Sequence, residues 1–191
     1  AVDDYDYVNG ESDEEGWEAF SDEQKVGIRV IFTNLETLID VSFSETTKFD
    51  QLNTLTFANN IQENSGGYAF YPGTYFAASD IYIDILSSGN FRLPENGNYN
   101  VDIFVHEIGH AIGLKHPFEK NSSGEVVSTP PYVRGNEDHA IWSQMSYTGY
   151  VKKGEFSPLD IAALQYLYGV NPASRAGDNT YDYKSTEANF I

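Results

Sequence analysis

The order of elements along the sequence agrees with an α+β fold. Three observations carry that expectation. An amphipathic helix covers 21–39, short strand-like segments crowd between 41 and 86, and two further helices, at 99–112 and 157–169, flank a long loop. Strands grouped together and helices set apart from them are the pattern of an α+β chain rather than of alternating βα units.

Each element has a local cause. Residues 1–20 are acidic and aperiodic and read as an extended lead-in. In "SDEQKVGIRVIFTNLETLID", Ser21 can cap a helix with Gln24 in capping-box position. Val26, Val30, Ile31, Leu35 and Leu38 form an apolar stripe expected to face the core. "VSFSET" (41–46) alternates as a strand does, and "LNTLTFANN" (52–60) gives a second. "YAFYPG" (68–73) and "SDIYIDIL" (79–86) give two more, parted by the Pro72–Gly73 turn. The segment from Tyr99 to Ile112 reads as a helix stopped by Gly113. Residues 117–140 are rich in Pro, Gly, Ser and charge and read as a loop. In "SPLDIAALQYLYG" (157–169), Ser157 is the cap, Pro158 takes the first position, Asp160 sits in the first turn and Gly169 is the stop. The expected division is a lead-in at 1–20, one domain at 21–170 and a polar tail at 171–191.

Composition narrows the function classes. A chain of 191 residues is long enough for one sizeable core. The net charge of −18 argues against nucleic acid and against anionic membrane surfaces, both of which reward Lys and Arg. The sequence has no apolar run of 18 residues, so no transmembrane helix is expected. With no cysteine there is neither a disulfide framework nor thiol chemistry. The opening "AVDDYDYVNGESDEEGW" lacks the basic and apolar regions of a signal peptide.

Chemistry concentrates in "VDIFVHEIGHAIGLKHPF" (101–118), which holds three of the four histidines. His106 and His110 are four apart, so on a helix they share one face and can reach one ion. Gly113 permits a left-handed turn that swings His116 back to the same ion. Three neutral imidazoles and an open fourth position make a catalytic rather than a structural zinc site. Glu107 lies near the same face and is not needed as a ligand. It can take a proton from metal-bound water and pass it to a leaving amine. The alternative is histidines gathered on a surface by chance. The five fixed positions of H-E-x-x-H-x-x-G-x-x-H arise that way with odds on the order of 10⁻⁵. Met145, the only methionine, is either a gap-filling core residue or a hydrophobic floor beneath the metal site. His139, in "GNEDHAIW", is expected to be a surface or hydrogen-bonded residue rather than a ligand.

"HEIGHAIGLKHP" followed by "MSY" (145–147) resembles the metzincin zinc endopeptidases, and within them the serralysin branch of bacterial secreted proteases. Pro117 after the third histidine, the Met145-Ser146-Tyr147 turn, "LDIAALQYLYGVNP" and "GGYAFYPG" carry the resemblance, which covers roughly residues 17–180. It implies a zincin-like fold: a twisted mixed sheet with the active-site helix in an upper lobe, and a loop-rich lower lobe with a C-terminal helix. It also implies zinc on His106, His110 and His116, catalysis by Glu107 and Tyr147, and Met145 as the floor. Tyr147 would be a labile metal ligand that turns to the oxyanion when substrate displaces it. The strand with Tyr68, Ala69, Phe70 and Tyr71 would bind substrate in extended form. The implied protein is secreted, extracellular and monomeric, acts on protein or peptide substrates, and is open to control by a propeptide or protein inhibitor. Two alternatives stay open: a domain that processes only its own chain, and a non-cleaving adhesive or binding domain on the same fold.

The sequence also departs from the pattern. Serralysins usually have Gly where this chain has Phe118, so the loop leaving the site is expected to take another path. No G-G-x-G-x-D calcium repeat occurs, which suits a catalytic fragment or a branch with a different C-terminal region. "SRAGDN" (174–179) resembles the junction to such repeats without its second half. Arg175, Gly177 and Asn179 are therefore expected to bind calcium weakly or not at all.

Overall fold

The computed structural model describes residues 16–48, 51–63, 65–75, 77–85, 99–120, 126–127, 132–133, 135–151, 153–174 and 176–178. Arg175 and Asn179 of the suggested calcium junction, and most of the acidic lead-in, lie outside the described residues.

Helix α1 spans Asp22–Leu38 and begins as its sequence requires. The Ser21 hydroxyl accepts from Gln24 N at 3.2 Å and the Gln24 side-chain Oε1 accepts from Ser21 N at 2.8 Å, which closes a capping box. The buried stripe, however, is Gln24, Ile28, Ile31 and Leu35, while Val26 and Val30 are exposed. Val26 stands two residues, about 200°, round the helix from Ile28, so one sheet cannot cover both. Gln24 belongs to the inner face because its amide exchanges hydrogen bonds with Asn59 at 2.8 and 3.1 Å.

Four strands follow the order β1-β2-β4-β3, with β1 Glu18–Ala19, β2 Phe57–Asn60, β3 Gly67–Ala69 and β4 Ile81–Asp84. β2 and β4 are parallel, and the two outer pairings are antiparallel, so the sheet is mixed. The last residues of the acidic lead-in thus join the sheet, with Phe20 packed edge-on to Phe104 at 5.6 Å. The expected strand at 41–46 does not form. Both sides of β2 are already paired, by β1 and β4. Phe43 instead docks on Phe32 at 4.5 Å, and its backbone N–H is held by the Glu36 carboxylate at 2.6 Å. The 52–60 strand starts only at Phe57, after Asn53 turns at φ 64°, and the 79–86 strand only at Ile81, after Ser79 at φ 68°.

Helix α2, Tyr99–Ala111, packs across β3 and β4, and α1 lies beside it. Val105 and Ile108 meet Ile81 and Ile83 in a core completed by Leu35, Met145 and Leu164, all nearly inaccessible to solvent. Each such aliphatic side chain contributes roughly 1.5–3 kcal/mol by burial. After α2 the expected loop holds a small hairpin, β5 Glu119–Lys120 with β6 Val126–Val127, and a 3-10 turn at Gly135–Glu137. Helix α3, Pro158–Tyr168, closes the domain and stops at Gly169, whose φ is 81°.

Candidate active site

The last turn of α2 and the chain after it build the site. Gly113 has φ 103°, its N–H donates to His110 O at 2.9 Å, and Leu114 N–H donates to Gly109 O at 2.8 Å. These two bonds form a Schellman motif, which ends the helix and reverses the chain. The same turn presents Leu114 O to His110, whose Nδ1–H donates to it at 2.8 Å. Two residues on, His116 comes back over the helix, and its ring centroid lies 5.2 Å from that of His106 and 4.6 Å from that of His110.

The other two imidazoles are aimed by the 143–147 turn. His106 Nδ1–H donates to Gln144 O at 2.9 Å, and His116 Nδ1–H donates to Met145 O at 2.8 Å. A carbonyl only accepts, so each Nδ1 carries the proton and each Nε2 keeps a lone pair. One nitrogen from each ring lies within 4.8 Å of the others. Burial holds the His106 imidazolium down to about 4; burial and then the neighbouring His106 hold His110 to about 3. His106 and His110 are therefore neutral at neutral pH, which is the state a metal needs. Three neutral nitrogens on one ion, each anchored from behind, suit zinc.

Glu107 is buried beneath the first residue of β3, so close that a Cβ on Gly67 would stand 3.0 Å from its Cγ. Burial raises its carboxyl to about 8. Tyr147, largely exposed, donates its phenol to His116 Nε2 at 3.2 Å, and its ring lies 4.5 Å from that of His116. Although much of the ring is open to solvent, desolvation at the site, then Glu107 and Tyr71, pushes its ionisation up. Tyr71 stands edge-on to His110 at 5.4 Å. The rest of the expected substrate strand is spread differently. β3 ends at Ala69, Phe70 N–H donates to Asp80 O at 2.9 Å, and Tyr68 stacks on Tyr82 at 5.1 Å. Met145 is fully buried, with its sulfur facing Gly109. His139 stays away from the triad: its Nδ1 accepts from Ile141 N at 3.1 Å.

The description Metallo-peptidase family M12B, reprolysin-like, matches residues 34–178. Serralysin B of Dickeya chrysanthemi is 36% identical over 168 residues, which cover 79% of this chain and 34% of the relative. A serralysin of Proteus mirabilis is 37% identical, covering 69% of this chain and 30% of the relative. A serralysin of Photorhabdus luminescens is 31% identical, covering 97% of this chain and 42% of the relative. The chain belongs to the serralysin-like metzincins. It spans from 30% to 42% of the length of these relatives.

Sequence reasoning did not find the supports of this metzincin site. Asp160, expected only as a first-turn acid, is buried and accepts from Ser143 Oγ at 2.7 Å, Gln144 N at 2.6 Å and Ser157 N at 2.9 Å. It ties the turn that aims two histidines to the start of α3. Asp102, one turn before His106, accepts from Lys153 N at 3.1 Å and Gly154 N at 2.7 Å. Lys153 Nζ donates to Ala140 O, Ile141 O and Ser157 Oγ at 2.7–2.8 Å. These bonds join residues 3 to 52 apart, and beyond the Ser157–Asp160 contact of the helix cap nothing in local spacing foretells them.

Proposed function

We propose that this domain is a zinc-dependent endopeptidase that hydrolyses protein substrates outside the cell. The observation that carries the reading is a buried carboxyl, Glu107, next in sequence to the first of three imidazoles that turn one nitrogen each toward a common point. Zinc held there supplies Lewis-acid chemistry: it polarises a carbonyl oxygen and makes water acidic enough to lose a proton near neutral pH.

The chain's own groups do the rest. Glu107 is the base that receives the water's proton and returns it to the departing amine. Its buried surroundings raise its proton affinity, and a neighbouring cation favours its ionised form, so the two act against each other to hold the carboxyl near working pH. Tyr147 turns its hydroxyl to the oxyanion that develops on the scissile carbonyl, a role supported by its contact with His116. The peptide lies extended along β3, the last strand in the sheet order, with segment 141–150 as a wall of the pocket beside the metal. Residues 21–170 form the catalytic unit together with β1 and Phe20 of the lead-in, which share its sheet and core.

Two variants test this. Glu107→Gln should keep one zinc per chain and lose roughly 10²–10⁴-fold in casein cleavage. Activity within tenfold of wild type rules Glu107 out as the base. Tyr147→Phe should keep zinc and lower kcat roughly 10²–10³-fold. Unchanged kcat returns Tyr147 to a structural role. Cleavage at a few fixed sites of the longer protein alone, with casein untouched, would instead mark a self-processing domain.

A further inference from the structure

Phe118 stands where the resemblance leads one to expect glycine, and the site changes around it. Its side chain is buried, with 7% exposure. Its ring stacks on His116 at 5.0 Å and 27°, and meets Tyr147 at 5.2 Å and 57°. His116 and Tyr147 themselves meet at 4.5 Å, so the three rings touch pairwise. The Tyr147 ring also lies nearly parallel to His106, at 5.7 Å and 20°.

We propose that Phe118 is a positioning residue that clamps the His116 ring and fixes the resting place of the Tyr147 phenol beside the metal ligands. A glycine at this position would remove the ring contacts that Phe118 makes with His116 and Tyr147. Here His116 is held on its edge by the Met145 carbonyl and on its face by Phe118, and Tyr147 has a wall against which to rest. Aromatic contacts of this geometry are worth more than their buried area alone. A phenol whose ring rests against Phe118 and His116 has less motion to lose when it turns to the substrate. Phe118 thus acts through Tyr147 and touches no reacting atom. The kinetic part of this proposal rests on the endopeptidase reading; the geometric part does not.

Phe118→Leu keeps an apolar side chain and removes the stacked ring. In the metal-free protein, proton NMR of the imidazoles should show the His116 signals moving downfield as ring-current shielding is lost, with His139 unmoved. In the zinc-loaded protein, one zinc per chain should remain, kcat should fall roughly tenfold and KM should hold within about twofold. In a Tyr147→Phe background, Phe118→Leu should cost nothing further in kcat, because the hydroxyl it positions is gone. Unmoved His116 signals, a lost zinc, or an equal kcat loss in both backgrounds would each overturn the proposal. A wild-type domain that cleaves no protein defeats the endopeptidase reading alone; the His116 and Tyr147 ring shifts then decide the role of Phe118.

Discussion

Gly109 shows how one absent side chain shapes the site. It is one of two glycines within the metal-binding segment, and nothing about helix geometry requires it. A Cβ there would stand 2.7 Å from Met145 Sδ and 3.3 Å from the Phe156 ring. The methionine passes so near the helix because its own carbonyl must reach His116 Nδ1. Gly109→Ala gains up to about 1 kcal/mol of helix propensity. Overpacking in a filled core costs about 1–3 kcal/mol, so the crowding should outweigh the helical gain. Chemical denaturation should therefore show Gly109→Ala less stable than wild type, and the same substitution should cost less when made in a Met145→Ala background, where the crowding is already gone. A single variant as stable as wild type would mean that Met145 moves aside freely.

At the scale of elements, the turn at 143–147 decides whether the histidines are aimed. It has no regular structure of its own and is held by Asp160 at the start of α3. Burial raises the Asp160 carboxyl in spite of three hydrogen bonds that lower it. Taking away the acceptor leaves buried donors without partners, which costs about 1–3 kcal/mol for each such group. Asp160→Ala should thus lower stability by at least that much. It should also weaken zinc binding by about 10–100-fold, the range for groups that orient metal ligands. Competition with a chromophoric chelator measures this, and wild-type affinity would show that the turn holds without Asp160. The lost strand at 41–46 belongs to the same scale. Its alternation of apolar and polar residues is real, yet β2, the next strand along the chain, has no open side left to pair with it.

For the whole molecule, the buried site makes the metal-free fold sensitive to pH in two opposite directions. His106 and His110 have folded values of about 4 and about 3, below their ordinary 6.5. Their contribution is complete above pH 6.5 and falls as pH drops, since the unfolded chain takes up protons first. Glu107, at about 8 instead of 4.5, has the opposite sign: its contribution is complete below pH 4.5 and falls as pH rises toward 8. Between 4.5 and 6.5 two histidines outweigh one carboxyl, and above 6.5 the carboxyl acts alone. These three groups therefore give greatest stability near pH 6.5, with slopes of about 1.4 kcal/mol per pH unit for each net proton. Thermal melts of chelator-treated protein should show Glu107→Gln flattening the alkaline limb and His110→Ala flattening the acid limb. Parallel curves for wild type and both variants would refute this assignment of the limbs.

The sequence by itself determined the parts whose causes lie within about a dozen residues. Ser21 with Gln24 closes its capping box three residues apart. His106 and His110 share a helix face, and Gly113 makes the turn that returns His116, all within one short segment. Such geometry follows from helical periodicity and the freedom of glycine, so no distant partner is needed. Tertiary structure alone decided which stripe of α1 is inside, where the strands begin, and how deeply Glu107 is buried. It also supplied the carbonyls of Gln144 and Met145, which lie 38 and 29 residues from the histidines they aim, and set Phe118 against Tyr147. Spacing along the chain cannot encode those contacts, because each depends on which surfaces compete for the same place in the packed core.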